Sequence, residues 1–303
     1  MVIDMDTTHL ITGATGTIGA RVVDILLARG QRPAILVRDV AKARARFGDR
    51  VVFVRGDLSD ADSLTAAFNG IEQVLLINSG SDLGHRDEIA AHAARTAGIS
   101  RLVKLSTIDV EHHVGTGPWH ARGEAAIKTS GVDFTFVRPA GFMDNALAWA
   151  PAIALSGVVE SATADGAIPF IHSDDIAAVA AEALTVPGPD YHGQALSITG
   201  PLALSTGQMV AKIGTAVGKP VDVKHISLDE ERRRWMQRGE PPESVDYHLS
   251  IFAAIRNGRL AGTTDTIAHV LGRQPITFDQ WAIENVDAFR APYQSNDPDT
   301  SGR

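Results

Sequence analysis

The stretch HLITGATGTIGARVVDILLARGQRPAILVRD, residues 9–39, decides the fold. HLIT (9–12) and PAILV (33–37) read as strands, and between them Ile18, Val22, Ile25, Leu26 and Arg29 fall at helical spacing, with Gly30 as a stop. Gly13, Gly16 and Gly19 are spaced G-x-x-G-x-x-G where the first strand meets that helix. The first glycine permits a tight turn, the second lets backbone N–H groups approach a pyrophosphate, and the third lets helix and strand pack closely; the helix N-terminus favours the anion. Strand, triplet, helix and second strand arriving in that order point to a dinucleotide site, with Thr15, Thr17 and Ile18 lining the same turn.

The second strand ends in Arg38, 19 residues after Gly19, where an acid would bind the ribose 2′-hydroxyl of NAD. A guanidinium there suits the 2′-phosphate of NADP instead. The competing account is a solvated arginine paired with Asp39. Lys42 is placed to add a second positive charge. In GDLSD, Asp57 and Leu58 follow the third strand; Asp57 either meets the adenine edge or forms a turn or cap.

Working outward, VVFVR (51–55), QVLLI (73–77), RLVKLS (101–106) and DFTFV (133–137) read as four more strands, and 60–69, 84–97 and 117–130 as helices between them. This alternation gives βαβ units and a parallel sheet covered on both faces. Ligands bind at the carboxyl edge of such a sheet. That edge would carry Asn78 and Ser79 after the fourth strand, and Ser106 and Thr107 after the fifth; the alternatives are an ordinary loop and a capping role.

After Arg138-Pro139 the regular alternation gives way to glycines, prolines and shorter periodic pieces, a soft boundary near 140–155. We expect a nucleotide-binding domain over 1–150 and a smaller substrate-side domain over 151–290, with one or more segments returning to the main sheet. Ser173, Asp174 or Asp175 should N-cap a helix to Leu184; QALSI (194–198) is a further strand, 204–217 a helix, and Pro241-Pro242 splits two more helices. Residues 291–303 are polar and turn-rich and read as a disordered tail. No internal repeat is present.

A net charge of −8 with scattered basic residues argues against a nucleic-acid partner. The absence of cysteine excludes disulfides, thiolate metal sites and cysteine nucleophiles, and agrees with a cytoplasmic location. No apolar run approaches the about 18 residues of a membrane span, and the acidic N-terminus lacks a signal-peptide start.

TGATGTIG, VRD after the second strand, GDLSD after the third and SGVDFTFVRPAGFMDN after the long helix resemble the NmrA-like group of atypical short-chain dehydrogenase/reductases. IHSDDIAAVAAEAL, ALSITGPLALS and TDTIAHVLGRQPITFDQWAIENVDAF extend the likeness to about residues 8–290. The resemblance implies a Rossmann-type doubly wound α/β sheet, a smaller C-terminal α/β substrate domain and NADP(H) as cofactor. It admits quinone and dye reductases, phenylpropanoid ether reductases, tailoring enzymes of secondary metabolism and non-catalytic sensors, among which the fold does not choose. It also implies that Ser106 lies near the nicotinamide and that Phe142, Met143, Asn145, Trp149 and His172 wall a substrate side suited to a planar aromatic compound. The apolar members of that set are more often core residues than ligand contacts.

Typical short-chain reductases carry Tyr-x-x-x-Lys on the helix after the fifth strand, the tyrosine protonating the developing alkoxide. Here that helix reads GTGPWHARGEAAIKTSG, which puts Thr116 at the tyrosine position and His120 at the lysine position if Glu124 is the glutamate that follows. His120 is a candidate for a ribose contact or an acid, or is a plain helix-face histidine. Glu124 and Lys128, at i and i+4, read as a surface ion pair. Asp109, Glu111, His112, His113 and His120 cluster without zinc-type spacing, so no metal is expected. His112 or His113 is assigned to the pocket mouth, and His113, His120 and Ser106 are the catalytic candidates. The expected activity is hydride transfer from NADPH to a quinone or conjugated aromatic carbonyl, in a chain that could form a homodimer. The alternatives are a non-catalytic NADP(H) sensor and a cofactor-assisted isomerase.

Overall fold

The computed structural model describes residues 8–186 and 190–290, so the tail expected over 291–303 lies outside the described residues. The chain divides into two compact units, each assembled from separate segments. The first comprises Met1–Ala140, Ile171–Pro201 and Thr263–Pro275, and the second Gly141–Phe170, Leu202–Gly262 and Ile276–Arg303. No helix among the described residues is long and apolar enough to cross a membrane.

In chain order the first unit opens with β1 (His9–Ile11), α1 (Thr17–Ala28), β2 (Ala34–Val37), α2 (Val40–Phe47), β3 (Val52–Arg55) and α3 (Ala61–Phe68). It continues with β4 (Gln73–Leu76), α4 (Leu83–Ala97), β5 (Arg101–Leu105), α5 (Asp109–His112), α6 (Gly117–Ser130) and β6 (Asp133–Pro139). The second unit then supplies a 3₁₀ segment (Met143–Trp149), α7 (Ala150–Ser156), β7 (Val158–Ser161) and β8 (Ala167–Ile168). The chain returns to the first unit with α8 (Ser173–Thr185) and β9 (Gln194–Ile198). Then come β10 (Leu204–Ser205), α9 (Thr206–Val217), β11 (Asp222–His225), α10 (Leu228–Gln237) and α11 (Pro242–Arg256) of the second unit, α12 (Thr266–Leu271) of the first, and finally α13 (Phe278–Glu284) and α14 (Val286–Arg290).

Seven strands form one parallel sheet in the order β3-β2-β1-β4-β5-β6-β9. Side chains alternate across it. Leu10, Leu36, Val74, Leu102 and Phe136 join Leu64, Phe68, Ala90, Ala94 and Ile127 of α3, α4 and α6 in one core cluster. The alternate residues Ile11, Ile35, Leu75 and Val103 are fully buried toward the opposite face, which α8 covers beside α1. Each such side chain contributes about 1.5–3 kcal/mol relative to exposure. The chain reverses its direction of travel across the sheet between β1 and β4, the switch point at which open α/β sheets bind ligands. Thr12 fastens that point: its hydroxyl donates to the Ile77 carbonyl at 2.8 Å and accepts from the Ile77 N–H at 2.7 Å.

One capping expectation is corrected. His172, not Ser173, Asp174 or Asp175, caps α8: its backbone is extended and its Nδ1 accepts from the Asp174 N–H at 3.0 Å. Ser173 is already helical, and Asp174 and Asp175 occupy the first turn, where carboxylates suit the helix dipole. They pair there with Arg21 at 2.7 Å and Arg273 at 2.6 Å.

The second unit has its own core around Met143, Ile153, Val159, Met209, Ile213, Phe278, Trp281 and Phe289. Trp281 Nε1 donates to Asp144 at 2.9 Å, so the indole is buried with its polar atom satisfied. The short pairs β7 with β11, parallel, and β8 with β10, antiparallel, complete this unit. The break between α10 and α11 ends at the expected proline pair, with Pro241 the N-cap of α11 and Pro242 its first residue.

Candidate cofactor site and reaction edge

Gly13 has φ +59°, a conformation that side chains rarely adopt, and the Gly16 N–H closes the turn on its carbonyl at 3.0 Å. A Cβ on Gly19 would lie 2.3 Å from the Gly13 oxygen, so only glycine lets α1 start this close to β1. Thr15, Gly16 and Thr17 are exposed, Ile18 is buried beneath them, and no side chain caps the N-terminus of α1. Its first N–H groups are thus left to a ligand. An anion meets hydrogen-bond donors and a favourable dipole there.

Arg38 follows β2 in an exposed position, and no hydrogen bond or ion pair holds its guanidinium among the described residues. Asp39, the partner proposed for it on sequence grounds, instead caps α2 by accepting from the Lys42 N–H at 3.1 Å. That cap fixes Lys42 in the first turn of α2, four residues from Arg38. Asp57 is a turn former: one carboxylate oxygen accepts from Ser59 N–H at 2.9 Å and Ser59 O–H at 2.6 Å. These bonds, with smaller help from Arg38 and Arg86, hold its carboxyl below the usual aspartate range. Leu58 packs onto the core.

After β4, Asn78 is committed to its own loop, donating to the Leu83 carbonyl at 3.0 Å and to Asp87 at 3.1 Å while accepting from the Ser79 N–H. The Asn78 side chain thus shapes the loop at this edge. Ser79 is exposed, and its carbonyl accepts from Arg86 at 2.6 Å. Arg86 was not singled out in the sequence, because nothing in its spacing marks it.

Beneath this edge lies a polar layer that the sequence did not reveal. Lys104 on β5 and Asp87 on α4, both fully buried, meet at 2.5 Å, held by charge and not by an aligned hydrogen bond. Gly123 makes room for them, since a Cβ there would fall 2.2 Å from an Asp87 oxygen. His120 on α6 is buried, with Nδ1 unpartnered. Burial, and then the charge of Lys104, lower its pKa to about 3, so its imidazole is neutral near pH 7.

Ser106 donates to Glu124 at 2.7 Å, and Arg138 on β6 clasps Glu124 at 2.9 and 2.5 Å and Glu111 at 3.0 Å. The surface pair expected between Glu124 and Lys128 is thus not formed. Glu124 faces the sheet at 2% exposure, while Lys128 lies over the Phe136 ring. Because the Ser106 proton is engaged, its hydroxyl can accept from a ligand but has no second proton to donate. Thr107 is half-buried and accepts from the Asp109 N–H at 3.3 Å.

His113 is exposed and left-handed at φ +52° as the C-cap of α5, and His112 is half-buried in that helix. Phe142 and Trp149 are half-buried and Asn145 exposed in the second unit. Met143 is 1% exposed in that unit's core. The His172 ring caps α8. No group of three or more His, Cys, Asp or Glu among the described residues is arranged to hold a metal.

The family model for NAD(P)H-binding proteins matches residues 13–187. The chain belongs to the NAD(P)H-binding family. It is 34% identical over 285 residues to an NAD(P)H azoreductase of Xenophilus azovorans, covering 93% of this chain and 99% of that protein. It is 29% identical to quinone oxidoreductase 2 of Escherichia coli, over 88% of this chain and 94% of the relative. The crystal structure of the NADPH-dependent quinone oxidoreductase QOR2 of Escherichia coli with NADPH superposes with a TM-score of 0.84 at 26% identity, covering 91% and 99% of the two chains. This chain is an NAD(P)H-dependent oxidoreductase of that atypical short-chain kind. NAD(P)H fits the residues present: the uncapped start of α1 and the glycine turn that a Cβ would fill suit its pyrophosphate.

Proposed function

We propose that this NAD(P)H-dependent oxidoreductase uses NADPH to reduce a planar conjugated acceptor, a quinone or an azo- or carbonyl-bearing aromatic compound. The observation that carries this reading is the absence of the tyrosine-lysine donor: Thr116 and a buried, neutral His120 stand in its place. Reducing an isolated ketone creates a strongly basic alkoxide that needs a matched acid. A reduced quinone or azo compound spreads its charge over the conjugated system, so a weaker acid suffices. The similarity to a named azoreductase and a named quinone oxidoreductase supports the same acceptor class.

The cofactor, when bound, supplies the hydride. The protein's part is to bind, orient and manage protons. The turn at Gly13–Gly19 and the start of α1 hold the pyrophosphate, and Arg38 with Lys42 holds the 2′-phosphate as a charge-assisted contact. Ser106 and His120 lie on the nicotinamide side, where Ser106 accepts a hydrogen bond and the neutral imidazole orients the ribose. The test is steady-state NADPH oxidation with a quinone, an azo dye and an aliphatic ketone. Turnover of the first two at least 100-fold above the ketone is expected; preference for the ketone contradicts the reading.

A further inference from the structure

Ser106 ends a side-chain network that runs along the carboxyl edge of the sheet. Its backbone is fixed there, the N–H donating to the Val137 carbonyl of β6 at 2.7 Å. Its hydroxyl donates to Glu124 Oε1 of α6 at 2.7 Å. Arg138 of β6 takes the same carboxylate with two prongs, Nε on Oε1 at 2.9 Å and Nη2 on Oε2 at 2.5 Å. Its third nitrogen, Nη1, donates to Glu111 of α5 at 3.0 Å, and Glu111 also accepts from the Ser197 hydroxyl of β9. Glu111 thus holds the outer end of Arg138, and the clasp on Glu124 has one orientation.

The direction of each bond follows from the groups that make it. A guanidinium only donates and a carboxylate only accepts, so the proton between Ser106 and Glu124 belongs to the serine. A serine hydroxyl has one proton and two lone pairs. The proton is spent inside the protein, and no group among the described residues donates to Ser106 Oγ. Ser106 is 4% exposed and Glu124 2%, so water does not compete freely for either. Donation to a carboxylate also strengthens Oγ as an acceptor, because linked hydrogen bonds polarise one another.

That polarity separates the two ligands of a reductase. A quinone, an azo group and a carbonyl present acceptor atoms where they react, and an oxygen with no proton to give offers them nothing. The carboxamide of the nicotinamide carries N–H donors. We infer that Glu124, clasped by Arg138, is a positioning residue that makes Ser106 an obligate hydrogen-bond acceptor for the cofactor's carboxamide, an inference that rests on the nicotinamide-side placement of Ser106 in the reading above. Ser106 then serves the cofactor, and the electron acceptor is left to other groups.

Binding measured without turnover tests this. The probes are NADPH and its reduced 3-acetylpyridine analogue, in which a methyl ketone replaces the carboxamide and no N–H remains. Fluorescence titration gives the ratio of the two dissociation constants, in which effects on the shared part of the cofactor cancel. Ser106→Ala should shrink the wild-type preference for NADPH about 10-fold, and Ser106→Thr, which keeps the hydroxyl, should retain most of it. Glu124→Gln should shrink it by at least about 3-fold, because the released Ser106 proton can turn to the ketone oxygen. In the Ser106→Ala background the same substitution should leave the ratio unchanged, since Glu124 acts through Ser106. Arg138→Lys, which keeps the charge and loses the two-pronged clasp, should follow Glu124→Gln and reads the same ratio where that variant does not fold. A wild type without preference, an unchanged ratio in Ser106→Ala, or a Glu124→Gln effect as large without Ser106 as with it would each overturn the proposal. So would a fall in melting temperature in Glu124→Gln and Arg138→Lys with the ratio intact, the mark of a merely structural clasp. A wild type that meets every binding expectation but oxidises NADPH with no acceptor removes the reductase reading and leaves the Ser106 assignment standing.

Discussion

Gly19 shows how little freedom one position can have. A methyl group there would stand 2.3 Å from the Gly13 oxygen and 2.8 Å from Ala14 Cα, both backbone atoms that cannot step aside. Gly19→Ala is expected to lower NADPH affinity at least 10-fold and the melting temperature with it, read by fluorescence titration and thermal unfolding. Arg38 works by charge. Its replacement by alanine should narrow the ratio of NADPH to NADH affinity by about 10- to 100-fold, measured by titrating both. His120 carries a pH signature. Its folded pKa of about 3 lies below the ordinary 6.5, so the stability it contributes is present above pH 6.5 and is lost as pH falls toward 3. Urea unfolding of the wild type should lose up to about 1.4 kcal/mol per pH unit from this group across that window, and His120→Gln should flatten the slope. These residues differ in legibility. The glycines and Arg38 announce themselves by spacing after a strand, whereas the state of His120 depends first on its burial and then on Lys104, sixteen positions away and on another element.

At the scale of elements, β5, α4 and α6 are joined by a buried charge pair as well as by apolar contact. Asp87 and Lys104 are both 0% exposed, so removing either partner strands the other. Asp87→Ala and Lys104→Met should each cost about 3–5 kcal/mol in denaturant unfolding, while the apolar double variant Asp87→Leu/Lys104→Met should recover most of it. Neutral single variants would mean that the pair does not join these elements. The elements of the first unit were readable because their apolar runs repeat at period 2 in strands and 3.6 in helices. Expected helices over 84–97 and 117–130 correspond to Leu83–Ala97 and Gly117–Ser130. QALSI was legible as a strand, but its parallel seat beside β6 was not, since 54 residues separate Pro139 from Gln194. VVES and DVKH gave no strand signal at all: four residues of mixed polarity find each other only through packing. Glu124 was misplaced for a related reason. Its i+4 lysine is local information, and the Arg138 that captures it arrives from the next strand.

For the whole molecule, the sequence carried the cofactor further than the chemistry. A strand, a glycine turn and a terminal arginine are contiguous and therefore readable; the reaction edge draws Asn78, Ser106, His120 and Arg138 from four places along the chain. The seven-stranded sheet brings those places together, and the family match and the relatives agree with an oxidoreductase that holds NAD(P)H. This chain passes on the hydride of the cofactor it binds. The most direct test is a single-turnover experiment in which protein loaded with stoichiometric NADPH is mixed with excess quinone and the reduced-cofactor absorbance is followed. Complete loss of that absorbance, with one quinone reduced per cofactor, is the predicted result. Tight NADPH binding, with the absorbance unchanged for quinone, azo dye and cationic dye alike, would contradict it and leave a protein that senses the cofactor without using it.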